Sequence, residues 1–131
     1  MVTTRAELLL LANRAAAAKA ELDGALPMME KTASPALPLA LGVRGRMANG
    51  ERAWTDAVTY AERSIAGMEK SVGVTGPDLV RPLYELAVAK VGLKQPAAAV
   101  PPLERAIAIA TAAQMPAKDL APLRALLDQV K

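Results

Sequence analysis

The chain has 131 residues, of which 53% are hydrophobic and 22% charged, with a formal net charge of +3. That length suits one domain with a real core, and that balance reads as globular rather than disordered. The complete lack of Cys and His removes disulfides, thiolate chemistry, Cys/His zinc sites and imidazole acid–base catalysis.

Phe is also absent and aromatics make up 2% of the chain, so the core must come from Leu, Ala, Val, Ile and Met. Small side chains of this kind suit close helix-on-helix packing, and the β-branched runs that signal strands are missing, which predicts an all-α fold. Lys and Arg are interleaved with Asp and Glu, the pattern of an ordinary solvated surface, so no nucleic-acid partner is expected.

Taken in order, the N-terminal apolar run Leu8 to Leu11 is preceded by Glu7 and interrupted by Asn13 and Arg14. It is too short for the apolar region of a signal peptide, and no stretch approaches the ~20 apolar residues of a membrane span, which predicts a cytoplasmic protein without a membrane partner. One helix is expected from about Thr4 to Ala18 and a second from about Leu22 to Ala33. Ser34-Pro35 starts a third, which breaks near Asn49-Gly50, and the apolar spacing resumes through Ala53, Ala57, Ala61 and Ile65. Thr75-Gly76-Pro77-Asp78 starts the next helix, carried by Leu79, Leu83, Leu86, Ala87 and Val91. After the break at Gly92 to Pro96, Ala99, Leu103, Ala106, Ile107 and Ala110 mark another. Pro101 and Pro102 fall inside that helix, where an interior proline costs about 3 kcal/mol. A start near Pro96 keeps both prolines close to the first turn, so a loosened or bent turn is expected rather than a broken helix. A last helix runs from about Lys118 to the C-terminus.

The chain repeats itself. Shifting it by 42 residues superposes Pro35 on Pro77, Leu37 on Leu79, Leu41 on Leu83, Gly50 on Gly92 and Ala57-Val58 on Ala99-Val100. Glu62-Arg63 then falls on Glu104-Arg105 and Ile65-Ala66 on Ile107-Ala108, which makes ten identities without a gap. A shorter upstream copy, ALPMMEKTA at 25–33, aligns with AVTYAERSI at 57–65 and AVPPLERAI at 99–107, and places Pro27 opposite Pro101. PLYEL at 82–86 is echoed by PLRAL at 122–126. Three repeats over about 4–33, 35–76 and 77–115, each an antiparallel helix pair, with a cap helix over about 118–131, predict an α-solenoid forming one domain. Each pair exposes too much apolar surface alone, so neighbours must stack and the last helix needs a polar outer face. Lys118, Asp119, Arg124, Asp128, Gln129 and Lys131 supply one.

The stretch GPDLVRPLYELAVAKVGLKQPAAAVPPLERAIAI, residues 76–109, resembles the tetratricopeptide repeat (TPR) in its longer 42-residue variety, found in the kinesin light chain and in bacterial signalling proteins. The matching features are the Pro-Asp start, the Leu-x-x-Leu-Ala first helix and the Ala-x-Pro-Leu-x-x-Arg-Ala-Ile second helix. The resemblance covers about 97 residues, from Pro35 to the end, and the N-terminal third loosely. The sequence departs from the family where Arg52 and Lys94 replace the usual inter-helix glycine. The small residue of the first helix is Gly45 in one unit, Ala87 in another and Asn13 in the upstream one.

The resemblance implies a concave groove lined by the first helices of successive repeats and occupied by an extended peptide or a partner helix. Transferred onto this chain, the groove side comprises Glu7, Leu10 and Arg14, then Leu39, Gly42, Arg46 and Asn49, then Arg81, Tyr84 and Val88, with Arg124 and Asp128 from the cap. Arg14, Arg46, Asn49, Arg81, Tyr84 and Arg124 are the candidate binding residues. Guanidinium groups pair carboxylates bidentately and Tyr is a favoured anchor, so an acidic or C-terminal peptide is the expected partner. The alternative is that these residues form an ordinary polar face.

Trp54, at the start of a second helix, is read as packing between two helices. The methionines are read as gap-fillers, and the recurring pairs Glu30-Lys31, Glu62-Arg63 and Glu104-Arg105 as solvated faces. No carboxylate pair, nucleophile, metal cluster or phosphate loop emerges, so neither catalysis nor a cofactor is expected. The expected function is a non-catalytic protein–protein interaction module from a larger bacterial regulator. The alternative is a structural helical unit that self-associates through its N-terminal leucines.

Overall fold

A computed structural model describes the backbone of residues 2–32, 34, 36–72 and 76–130, and the side chains of 17–32, 34, 36–70 and 76–130. The described chain is helical throughout. Its elements are α1 (Val2–Thr32), α2 (Leu37–Gly50), α3 (Trp54–Val72), a 3₁₀ turn at Pro77–Leu79, α4 (Val80–Gly92), α5 (Pro96–Ala112) and α6 (Ala117–Val130).

Each helix packs on its chain neighbour, and α2 also touches α4. The direction of packing follows from which residues meet. Gly67 lies against Pro38, Gly42 against Ser64 and Gly45 against Ala57 and Ala61, so α2 and α3 are antiparallel. Trp54 lies on Gly92, which reverses the direction again between α3 and α4. The lack of a side chain at Gly67 and Gly92 is what lets these helices approach closely: a Cβ at Gly67 would meet the Pro38 ring at 2.7 Å, and at Gly92 it would fall inside the Trp54 indole.

Three helices end in the same way. Arg52, Lys94 and Gln114 take left-handed φ values of 61°, 63° and 56°. The next amide in each case reaches back across the turn: Ala53 N–H to the Ala48 carbonyl, Gln95 to Lys90, and Met115 to Ala110. This is the Schellman arrangement, normally built on glycine, and a residue with a Cβ in that conformation costs about 1 kcal/mol. The absence of glycine at Arg52 and Lys94 therefore changes the residue while the turn keeps the glycine-type geometry.

The main core joins α3, α4, α5 and α6 through Leu79, Leu83, Ala87, Ala99, Leu103, Ala106 and their buried neighbours. Residues 42 apart share a fate: Ala57 and Ala99, Ala61 and Leu103, and Ser64 and Ala106 are all at 0% exposure. The periodicity seen in the sequence is thus a periodicity of burial.

One expectation needs revision. The N-terminal third is one helix of 31 residues, where a pair was expected. Its middle, AAAAKAEL at 15–22, is made of strong helix formers, and nothing there stops propagation; Gly24 alone is too weak a breaker. α5 starts at Pro96 and runs unbroken through Pro101 and Pro102, as the sequence predicts. Those prolines deprive the Ala97 and Ala98 carbonyls of their helix partners, but both residues are exposed, so water takes the place of the missing N–H groups.

Candidate binding groove

A hollow of about 990 Å³ lies between α2, α4 and α6. α2 contributes Leu39, Val43 and Arg46, α4 and the turn before it contribute Asp78, Arg81 and Tyr84, and α6 contributes Lys118, Asp119 and Leu123. Met68 from α3 and Met115 before α6 close its floor.

Local sequence explains the lining. On a helix of 3.6 residues per turn, Leu39, Val43 and Arg46 fall on one stripe at i, i+4 and i+7. That stripe faces away from α3, because the small residues Gly42 and Gly45 occupy the face that α3 covers. Leu39 is 65% exposed and Val43 42%. Two large apolar side chains a turn apart on an open surface, flanked by guanidinium groups, are what an amphipathic partner would cover.

Of the residues singled out from sequence, Arg46, Arg81 and Tyr84 line this hollow together, and Leu39 and Gly42 lie with them. Arg124 is exposed on α6 without lining it, Asp128 is likewise exposed, and Val88 is half-buried elsewhere on α4. The side chains of Arg14, Glu7 and Leu10 fall outside the described residues.

Asn49 has a different place. It is buried at the contact between α2 and α4, where its Nδ2 donates to the Glu85 carbonyl at 2.9 Å and to Glu85 Oε2 at 2.8 Å. Asn49 sits about 80° round the helix from Leu39. It lies two turns beyond Gly42 on nearly the same stripe, so its place along α2 carries it past the hollow to the α4 contact. Glu85, itself 5% exposed, was not singled out from the sequence, and its acceptor oxygens fix the α2–α4 contact.

Other polar groups also emerge only in three dimensions. Ser64 Oγ donates to the Pro38 carbonyl at 2.6 Å and ties α3 to the start of α2. Arg44, 7% exposed, donates from Nε to Asp23 Oδ1 at 2.7 Å and lies over the Tyr60 ring at 5.0 Å. Burial alone would lower the Arg44 pKa, but the hydrogen bond and charge of Asp23 outweigh it and hold the guanidinium above its usual value. The acids and bases read as solvated faces are in part cross-helix partners: Arg63 pairs with Glu30 of α1, and Arg105 with Glu69 of α3.

Among the described residues, no three acidic side chains cluster closely enough to hold a metal ion, and no helix is long and apolar enough to cross a membrane. Val43 and Asp78 also line the hollow, as do Lys118 and Asp119, which were expected on the outer face of the cap. Val43 was legible as the residue one turn beyond Leu39; the others depend on how α6 sits against α4.

Comparison with known proteins yields no matching family model and no matching curated protein. The functional reading therefore stands on the geometry.

Proposed function

We propose that the protein is a non-catalytic interaction module, a short α-solenoid of the tetratricopeptide type, which holds a partner peptide or helix in the hollow between α2, α4 and α6. The observation that carries this reading is the stripe formed by exposed Leu39 and Val43 with Arg46, facing Arg81 and Tyr84 across an open hollow. The apolar stripe supplies area, the guanidiniums supply bidentate carboxylate recognition, and Tyr84 supplies a rigid anchor. The solenoid part of the reading is supported by the 42-residue recurrence of burial, by the matching turns at Arg52 and Lys94, and by the alternating helix directions. Three cations and two carboxylates in the hollow favour an acidic partner with a few basic contacts over a uniformly anionic one.

The test is a titration of acidic amphipathic peptides against the wild-type chain and an Arg46→Ala/Arg81→Ala variant. Loss of two charge-assisted contacts predicts affinity weaker by about 10- to 100-fold, with a reduced salt dependence. Equal affinities would remove the hollow from consideration.

A further inference from the structure

The described side chains of α1, residues 17–32, hold it to the rest of the molecule largely through charge. Its one fully buried side chain among the described residues is Leu26, which with Ala40 and Leu41 forms a three-residue cluster separate from the main core. Leu22, Met29, Leu37 and Tyr60 flank that cluster. Around it stand three ion pairs, each joining α1 to a different point: Lys19 to Glu51 at 2.7 Å, Asp23 to Arg44 at 2.7 Å, and Glu30 to Arg63.

The docked segment is also weak as a helix. Gly24 has open space where a Cβ would be, so no close approach requires a glycine there, and its backbone freedom opposes helix formation. Pro27, exposed in the helix interior, removes the hydrogen bond to the Asp23 carbonyl. A segment with two helix breakers and one buried side chain stays helical through its docking contacts, and a large share of those contacts is ionic.

We propose that α1 is an ion-latched strap: residues 19–32 undock from α2 and α3 as a unit, with α3 to α6 remaining folded, and raised ionic strength or loss of the charge pairs promotes that opening. Opening uncovers Ala40, Leu41 and the face of Tyr60, an apolar strip bordered by the Arg44 and Arg63 guanidiniums. The strap is thus a switch between a covered and an uncovered second surface, on the side of α2 that does not line the hollow.

Hydrogen exchange followed by mass spectrometry on the full chain tests this, at about 0.05 M and about 1 M NaCl, where the Debye length falls from over 10 Å to about 3 Å. Amides of 19–32 are expected to exchange about tenfold faster at the higher salt, while those of α5 hold their rates. Glu30→Arg at low salt should reproduce the faster α1 exchange, and Glu30→Arg combined with Arg63→Glu should return it to within about twofold of wild type. Glu30 and Arg63 side chains are each 43% exposed, so both variants keep the core intact. Salt-independent α1 exchange, acceleration of α5 in step with α1, or failure of the double reversal to restore protection would each overturn the proposal.

Discussion

The two ends of the molecule are built on different physics. From α3 to α6 a continuous core of thirteen buried residues runs through four helices. The described side chains of α1, residues 17–32, instead meet a cluster of three buried residues, of which Leu26 is α1's own, and a ring of ion pairs. Each buried leucine in the larger core contributes about 2–3 kcal/mol by removal from water, whereas an exposed ion pair contributes about 0–1 kcal/mol. One region therefore unfolds only with the whole domain, and the other can open by itself.

Truncating a leucine in each region breaks the comparison most strongly. Leu103→Ala, at a site with 0% exposure, should lower the stability of the domain by about 2–5 kcal/mol in urea unfolding followed by Trp54 fluorescence. Leu26→Ala should leave that transition nearly where it was and speed exchange in α1 alone, because Trp54 reports the α3–α4 contact. Equal shifts of the Trp54 transition would mean that α1 belongs to the same cooperative unit.

A smaller effect comes from two glycines 42 residues apart. Gly92→Ala forces a methyl group into the Trp54 ring and should cost about 1–3 kcal/mol. Gly50, at the matching position, meets nothing within 4 Å, so Gly50→Ala should be neutral or stabilising by up to about 1 kcal/mol. Thermal unfolding of the two variants side by side measures the difference, and equal shifts would contradict the Trp54 packing.

How much of this was legible in the sequence follows the same division. The bounds of α2 to α6 were readable because Gly and Pro punctuate the chain at Gly50, Gly76-Pro77, Gly92, Pro96 and Pro116. The core of α3 to α5 was readable because Ala99 and Leu103 recur on Ala57 and Ala61. Trp54, read as packing between the two helices of its own repeat, lies on Gly92 of the following unit. α1 was misjudged because a break was expected between Ala18 and Leu22, where strong helix formers carry the helix through. Of the candidate groove residues, Arg46, Arg81 and Tyr84 share the hollow because they sit on matching stripes of α2 and α4. Asn49 does not join them, since it lies two turns beyond Gly42, where its amide is bonded to Glu85. The ion pairs of Arg44 and Arg63 depend on the register between helices, which composition does not encode.

The proposed partner is read by the stripe of Leu39, Val43 and Arg46 facing Arg81 and Tyr84. Amide chemical-shift mapping of the isotope-labelled chain, titrated with an acidic amphipathic peptide, tests this reading most directly. The account predicts perturbations concentrated at 39–46, 78–84 and 118–123, abolished by Leu39→Asp at unchanged stability. Saturable perturbations confined to other faces, or a Leu39→Asp variant that binds as well as wild type, would contradict it.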